Sequence, residues 1–177
     1  MITLYYHGGS ANHGCEAIVR STRKILDEPC RLFSTSIDEE YKYGVDQIVD
    51  VFEDQYKPIK KNSVLYSDSA LYNKLHKSDY KFIKYGHRSF LKLISTSDIC
   101  FSIGGDNYCY AGTDKLGFYN RMLHEKGAKT VLWGCSIEPS ALSESVIKDL
   151  KLYDTIITRE SLSFEALKNV GITDNVY

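Results

Sequence analysis

The sequence has few of the features that define fibrous, disulfide-stabilised or membrane-spanning proteins. Its 177 residues include 12 glycines and 3 prolines, which excludes collagen-like and low-complexity classes. No run approaches the roughly 18 apolar residues that a membrane span needs, and the N-terminus lacks the basic and apolar stretches of a secretory signal. The charges nearly cancel, to a net −1, which argues against a general nucleic-acid-binding protein. We therefore predict a cytoplasmic protein with no nucleic-acid partner.

The cysteines and histidines are not spaced as a disulfide framework or a metal site. The five cysteines are odd in number, widely separated and without a CxxC pair, and the five histidines form no HxxxH pair. We predict no metal site. Cys30 and Cys100 lie in apolar runs and are expected to be buried, while a nucleophilic Cys135 remains an open hypothesis.

Short apolar runs alternate with stretches of helical periodicity along the chain. The predicted strands are Ile2–Tyr6, Arg31–Ser34, Gln47–Phe52, Asp98–Ile103, Lys129–Gly134 and Asp154–Thr158. The predicted helices are Cys15–Leu26, a broken stretch through Ser69–Ile94, Asp114–Lys126, Ala141–Lys151 and Ser161–Asn169. This alternation predicts βαβ units with a parallel sheet. The fold class is α/β, a single three-layer Rossmann-like domain over residues 1–177 with a mostly parallel sheet.

Turn and capping residues agree with these boundaries. Asp114 is placed to cap a helix start, while Gly127 and Gly171 stand where helix ends favour glycine. The last residues, 171–177, are expected to form a loop that enters another strand. We interpret that ending as the first lobe of a longer protein, with a short final edge strand as the alternative.

Small or polar residues follow four of the predicted strands, where an open parallel sheet binds its ligands. They are Gly8, Gly9, Asn12, Gly14 and Glu16 after the first strand, Gly104, Gly105, Asp106 and Asn107 after the fourth, Ser136 after the fifth and Arg159 after the sixth. The first loop matches neither GxGxxG nor GxxxxGK[ST], so a dinucleotide or Walker site is not supported. We predict that seven of them surround one cleft: Gly9, Asn12, Gly14, Gly105, Asp106, Ser136 and Arg159.

Each loop has a functional and a structural interpretation. The small residues of the first loop and the N–H groups of the next helix suit a phosphate or a sugar hydroxyl, although a tight turn without a ligand explains them equally. Asp106 and Asn107 can bind vicinal hydroxyls, with Asp106 as a base, or can only shape a turn. Arg159 can grip a phosphate or carboxylate, or can pair with Glu160 or Glu16.

The same loops resemble the polysaccharide pyruvyl transferase family. The matching stretches are GGSANHGCEAIV (8–19), DICFSIGGDNY (98–108), WGCSIEP (133–139) and ITRESLSFEALKNVGI (157–172). Family members have two Rossmann-like lobes in a glycosyltransferase-B-like arrangement, and this chain resembles the N-terminal lobe only. Within the match, Cys15 stands where members often have an acidic residue, and Asp106 where they often have a third glycine.

The resemblance implies a transferase that moves a pyruvyl group from phosphoenolpyruvate onto two sugar hydroxyls, forming a cyclic ketal. Phosphoenolpyruvate would be a donor substrate, with no cofactor. The acceptor would be a sugar or lipid-linked oligosaccharide of surface polysaccharide biosynthesis, at the cytoplasmic side of the membrane. Most cations for the donor would come from a second lobe, so we expect residues 1–177 alone to be inactive. The rival hypotheses are a glycosyltransferase acceptor lobe and a non-catalytic carbohydrate-binding domain.

The middle of the chain, residues 56–92, is strongly basic and rich in aromatics. It carries nine lysines and arginines against two aspartates, a net charge of +7, while the rest of the chain is −8. One interpretation is peripheral contact with an anionic membrane, which requires several basic side chains and at least two exposed aromatics on one surface. The alternative, which we favour, is a helix pair with core aromatics and solvated lysines.

Overall fold

The structure is a computed structural model that describes residues 1–110, 113 and 116–177. Its strands are β1 (Ile2–His7), β2 (Cys30–Ser34), β3 (Asp50–Glu53), β4 (Ile99–Ser102), β5 (Lys129–Cys135) and β6 (Thr155–Thr158). Its α-helices are α1 (His13–Leu26), α2 (Ile37–Lys42), α3 (Val64–His76), α4 (Tyr80–Gly86), α5 (Arg88–Leu93), α6 (Leu116–Glu125), α7 (Glu144–Leu150) and α8 (Ser161–Asn169). A 3₁₀ turn, Pro139–Ala141, precedes α7.

The six strands that the described residues form make one parallel sheet in the order β3-β2-β1-β4-β5-β6. This is the Rossmann order, in which the chain winds outward in one direction from β1 and in the other from β4. The predicted α/β, three-layer, Rossmann-like fold is therefore confirmed.

Alternate strand residues bury their side chains on opposite faces of the sheet, because successive side chains of a strand point to opposite sides. Leu4, Leu32 and Phe101 pack in the same core cluster as Val19 of α1. The neighbouring residues face the other layer, where they pack against α4, α5 and α6; they are Tyr5, Phe33 and Cys100. Helices α7 and α8 complete the core beside β5 and β6.

The stretch predicted as Ser69–Ile94 with one break consists of three helices with two breaks. Helix α3 begins earlier, at Val64, and ends where Lys77 takes a left-handed backbone with φ +52°. The second break lies at His87, after Gly86, whose bare Cα packs against the ring of Tyr56. Neither the backbone conformation of Lys77 nor the Tyr56 contact is visible in the periodicity of the segment.

Other boundaries also differ from the prediction. Helix α2 was not predicted, because six residues with few apolar side chains carry no clear helical period. Residues Gln47–Val49 form a turn rather than the start of β3, and helix α7 begins at Glu144 rather than Ala141. The predicted cap at Asp114 lies outside the described residues.

Two glycines and the final residues follow the prediction. Gly127 and Gly171 have φ values of +78° and +73°, the left-handed backbone that ends a helix. Val176 forms a parallel bridge with Ile156 of β6, and Tyr177 N–H donates to the Ile156 carbonyl at 2.9 Å.

The aromatics of the basic segment 56–92 are mostly internal. The segment contains seven tyrosines and phenylalanines, and only Tyr56, which is 46% exposed, lies on the surface. The membrane-contact interpretation requires two exposed aromatics, and this requirement is not met. Tyr80 and Phe90 are core residues, and the others are partly buried against neighbouring helices. The aromatics therefore fit the helix-pair interpretation.

A buried carboxyl group between α6 and α7 makes the stability of the fold depend on pH. The side chain of Asp149 accepts hydrogen bonds from Tyr108 Oη (2.9 Å) and Asn120 Nδ2 (3.1 Å), and burial raises the pKa of Asp149 to about 6. The folded state therefore holds this proton more tightly than the unfolded state, in which the pKa is near 3.8. Stability is lost as the pH rises between these values.

We expect Asp149→Asn to remove this pH dependence, because asparagine is isosteric and stays neutral. Relative to the variant, the wild type should lose about 3 kcal/mol of unfolding free energy between about pH 4 and about pH 7. Urea unfolding of both proteins across that range measures the difference. Parallel stability curves for the two proteins would contradict the assignment.

Candidate functional site

A cavity of about 580 Å³ opens at the carboxyl ends of β1 and β4, where the strand order of the sheet reverses. In open α/β sheets this reversal creates the crevice in which ligands bind. The cavity is lined by Tyr6, His7, Gly8, Asn12, Gly14, Cys15, Ile18, Thr35, Asp54, Gly104, Gly105, Asp106, Asn107, Tyr119 and Arg159. The loops after β1 and β4 therefore face the same space.

Side chains of helix α2 contact the loop after β1 and hold it in place. Gly9 has φ +117°, and a Cβ at this position would overlap the Glu39 carboxylate. The same carboxylate accepts the N–H of Ala11 at 2.9 Å. These contacts require a glycine at position 9 and explain why Gly9 lies behind the cavity rather than in its wall.

Asn12 caps helix α1 with its own side chain. Asn12 Oδ1 accepts the N–H groups of Gly14 (2.9 Å) and Cys15 (3.4 Å), and its carbonyl accepts the N–H of Glu16. We expected the first turn of this helix to offer free N–H groups to a phosphate. That expectation is wrong for the N–H groups of Gly14, Cys15 and Glu16, which Asn12 already accepts. The loop still contributes the Gly8 and Gly14 backbone and the Asn12 amide to the cavity wall.

A buried polar cluster supports this loop. The Glu40 carboxylate accepts the hydroxyls of Ser10 (2.5 Å) and Ser34 (2.8 Å) and lies 3.0 Å from His7 Nε2. Glu40 is fully buried and His7 is 3% exposed. Burial lowers the pKa of His7, and the Glu40 carboxylate opposes that shift. The cluster ties the end of β1, the loop, β2 and α2 together.

The loop after β4 combines close packing with free polar groups. The side chain of Asn107 folds back over Gly104, where a Cβ would overlap its amide. Asn107 Nδ2 is buried and has no hydrogen-bond partner within the described part of the chain. Asp106 is exposed and accepts a hydrogen bond from Tyr110 Oη at 3.1 Å. The loop thus presents a donor and a carboxylate next to each other.

Arg159 brings a cation to the same side of the cavity. A Cβ on Gly105 would lie 2.9 Å from Arg159 Nη1, so the glycine makes room for the guanidinium. Arg159 Nη2 donates to Ser136 Oγ at 2.6 Å, and Arg159 Nε lies 3.7 Å from the Glu160 carboxylate. Ser136 also donates its N–H to the Gly105 carbonyl at 2.6 Å. Ser136 therefore positions Arg159 and the β4 loop without lining the cavity itself.

The opposite side of the cavity contains an Asp–Tyr–His cluster. Asp54 follows β3, and its carboxylate accepts Tyr119 Oη at 2.9 Å and lies 3.0 Å from His87 Nδ1. Its side chain is only 6% exposed. Burial and the neighbouring Asp54 charge raise the pKa of Tyr119 well above its ordinary value, so the phenol stays protonated. A buried carboxylate held in this way can accept a proton from a ligand hydroxyl.

A second cavity, of about 470 Å³, adjoins this cluster. It shares Tyr6 and Tyr119 with the first cavity and is also lined by Tyr56, Asp79, Phe82, Ile83, His87 and Leu116. Tyr6 has φ +66°, a backbone that L-residues seldom adopt, and its ring packs 4.7 Å from that of Tyr119. The two rings form the wall between the cavities.

The structure places most of the predicted site residues in one cavity wall. Those that line it are Gly8, Asn12, Gly14, Gly104, Gly105, Asp106, Asn107 and Arg159. Gly9 and Ser136 lie behind the wall, as described above. Glu16 does not line it, because its carboxylate accepts Arg20 Nε at 2.8 Å and lies 3.0 Å from His13 Nδ1. The binding and catalytic roles of these residues remain predictions.

The cysteines are all free, and both Cys15 and Cys135 are poor nucleophiles. Burial raises the pKa of Cys135 to about 12, so a thiolate is strongly disfavoured there. Cys15 lines the cavity, and its pKa is raised by burial and by the charge of Asp106. Cys30 and Cys100 are buried as predicted.

Comparison with protein-family models assigns the chain to a family. The family model of the polysaccharide pyruvyl transferases matches residues 12–177, which is most of the chain. The chain belongs to the polysaccharide pyruvyl transferase family. No curated protein and no solved structure matches it.

The four stretches on which the resemblance to the pyruvyl transferase family was based lie close to the cavity. The 8–19 and 98–108 stretches form two of its walls, and Arg159 of the 157–172 stretch reaches the same space. The 133–139 stretch contributes Ser136, which holds Arg159 in place. Four segments that are far apart in sequence thus meet at one edge of the sheet.

Proposed function

We propose that this chain is the N-terminal lobe of an enzyme that transfers a pyruvyl group from phosphoenolpyruvate onto two hydroxyls of a sugar. The observation that carries the proposal is the convergence of the four family stretches on the cavity between β1 and β4. We further propose that the acceptor is a surface polysaccharide or its lipid-linked oligosaccharide precursor, modified on the cytoplasmic side of the membrane. No helix of the described residues is long and apolar enough to cross a bilayer.

The proposed reaction needs proton transfer in both directions but no oxidant or cofactor. One sugar hydroxyl adds to the phosphate-bearing carbon of the enol, its proton is removed, and a proton is added to the methylene carbon, which becomes a methyl group. The second hydroxyl then displaces the phosphate, which leaves as inorganic phosphate. Two C–O bonds form to the sugar, and one C–O bond to phosphate breaks. A base near the hydroxyls and cations near the donor would accelerate both steps.

The cavity supplies groups for the acceptor side of this chemistry. Asp54 and Asp106 are the two carboxylates among the described residues of its wall, and either can accept a hydroxyl proton. We assign the base to Asp54, because Tyr119 and His87 fix its orientation, whereas Asp106 is exposed. Asn107, whose Nδ2 is without a partner among the described residues, would donate to a second hydroxyl.

The donor side is incompletely supplied. Phosphoenolpyruvate carries a phosphate and a carboxylate, but Arg159 is the one lysine or arginine among the described residues that line the cavity. We therefore propose that a second lobe contributes further cations and that residues 1–177 alone form no pyruvylated sugar. Proximity of donor and acceptor across two lobes would carry much of the rate.

Release of inorganic phosphate from phosphoenolpyruvate tests the proposal. The full-length protein is incubated with phosphoenolpyruvate and a panel of hexose and hexosamine glycosides, and phosphate is measured with and without each glycoside. Acceptor-dependent phosphate release supports the pyruvyl transfer. A glycosyltransferase would instead require a sugar nucleotide, and a carbohydrate-binding domain would bind glycosides without releasing phosphate.

We expect Arg159→Ala to raise the KM for phosphoenolpyruvate by about 10- to 100-fold, because a charge-assisted hydrogen bond to the donor is lost. Arg159→Lys should recover only part of this affinity, since lysine lacks the planar fork of donors. The matched control is Arg23→Ala on α1, where the side chain lies near Asp27. An unchanged KM in Arg159→Ala would show that the donor does not contact this residue.

A further inference from the structure

Helix α3 presents an apolar face that no described residue covers. Val64, Leu71 and Leu75 are 85%, 58% and 68% exposed. Their spacing of i, i+7 and i+11 places them on one side of the helix. The other side packs against α4, with Ser69 buried and Tyr66 5.4 Å from the ring of Phe82. One face of α3 is thus packed against α4, and the opposite face is exposed to solvent.

Unpaired lysines surround this apolar face. Lys60 and Lys61 lie in the turn that leads into α3, Lys74 lies in its last turn, and Lys77 caps its end. These four and Lys57 form no ion pair with any described residue. The acidic residue of the helix, Asp68, is already engaged by Lys81 Nζ at 2.6 Å and by Tyr85 Oη at 2.8 Å. The surface therefore carries an excess of positive charge.

We propose that the exposed face of α3, with its flanking lysines, binds the surface of a membrane that contains anionic lipids. Aliphatic side chains in the centre of a lysine-rich rim can enter the boundary between headgroups and acyl chains while the lysines contact lipid phosphates. A second copy of the chain is a poor occupant, because it would bring two rims of equal charge together. The basic segment thus acts through the aliphatic residues of α3 and not through its aromatics.

This surface is separate from the candidate active site, and the inference does not depend on the proposed reaction. It lies on the same helical pair as the second cavity, because α3 leads into α4, which supplies Phe82 and Ile83 to that cavity. A membrane bound at α3 would hold the site next to lipid-linked molecules.

Vesicle binding by the full-length protein tests the proposal. The probes are vesicles of phosphatidylcholine alone and of phosphatidylcholine with phosphatidylglycerol, with bound protein measured by sedimentation. We expect binding to the anionic vesicles at least about tenfold above that to the neutral ones, weakening as salt is added. Equal binding to both vesicles, or none to either, would overturn the proposal.

Two sets of variants locate the surface. Lys60→Gln, Lys61→Gln and Lys74→Gln together should weaken anionic-vesicle binding on the order of a hundredfold, since each lysine near such a surface contributes about fivefold. Leu71→Ser with Leu75→Ser should also reduce it at least about tenfold, since an aliphatic side chain leaves the bilayer boundary in each case. The control for the lysine variant combines Lys24→Gln, Lys129→Gln and Lys151→Gln. The control for the leucine variant is Ile25→Ser; Ile25 is 66% exposed and lies on α1, on the opposite side of the sheet from α3.

Wild-type binding by both α3 variants, or equal losses in variants and controls, would contradict the assignment. The assignment would also be contradicted if the wild type sediments as a dimer and the variant with Leu71→Ser and Leu75→Ser as a monomer. The exposed face of α3 would then bind another copy of the chain. All substituted side chains are exposed, so thermal unfolding should be unchanged in each variant. None of these measurements uses transferase activity. Failure of the pyruvyl transfer assay would therefore not contradict the proposed membrane binding.

Discussion

Asp54→Asn is expected to lower the kcat of the proposed pyruvyl transfer by about 10²- to 10⁴-fold, the usual contribution of a positioned general base. Asparagine has the same shape and keeps an oxygen for the Tyr119 hydroxyl, which donates to Asp54 at 2.9 Å. The substitution therefore removes the proton acceptor with little change in packing. The KM values for donor and acceptor should stay within about threefold, because binding contacts remain.

Two control variants test whether Asp54 is the base. Asp50→Asn changes an exposed carboxylate at the other end of β3 and should leave kcat unchanged. Asp106→Asn removes the second carboxylate of the cavity. Loss of kcat in Asp106→Asn with wild-type activity in Asp54→Asn would assign the base to Asp106 instead.

Glu40→Ala is expected to lower the free energy of unfolding by about 3 to 5 kcal/mol, because several buried polar groups lose the carboxylate that pairs with them. The substitution leaves the Ser10 and Ser34 hydroxyls and the His7 ring buried without the carboxylate that joins them. The loop after β1 would keep its Ala11 N–H bond to Glu39 of α2 but would lose the Ser10 contact to Glu40. Urea unfolding gives the change in stability.

The matched control for Glu40 is Asp38→Ala on the same helix. Asp38 is exposed, so its removal should change the free energy of unfolding by less than about 0.5 kcal/mol. If Glu40→Ala unfolds at the same urea concentration as Asp38→Ala, the buried cluster does not support the loop.

The sheet could be predicted because its strands are marked locally. Runs such as those at β4 and β5 are apolar on both faces, which indicates parallel strands covered by helices on both sides. Boundaries that depend on distant contacts could not be predicted. Tyr56 packs on Gly86 beside the break at His87, and α2 buries Glu40 beneath the β1 loop.

In the candidate site, too, some residues could be predicted from the sequence and others could not. Gly8, Asn12, Gly105 and Arg159 could be found because they follow strands that end at one sheet edge. Asp54 follows β3 in the same manner, and the predicted strand ends at Phe52, one residue before the observed end at Glu53. The strand-end rule therefore contained the signal, but the residues after this strand were not among the predicted site residues. Tyr119 of α6 and His87, at the break between α4 and α5, meet Asp54 only in the folded chain, and nothing in their local sequence sets them apart.

The most direct test of the account follows the pyruvyl carbon itself. The full-length protein is incubated with phosphoenolpyruvate labelled with ¹³C at the methylene carbon and with an acceptor glycoside, and the label is observed by NMR. The account predicts that the methylene signal becomes a methyl signal of a sugar ketal, with one phosphate released per ketal. It also predicts that Asp54→Asn and Arg159→Ala slow this conversion while Ile25→Ser does not. Phosphate release without a ketal, or a wild-type rate in the Asp54→Asn and Arg159→Ala double variant, would contradict it.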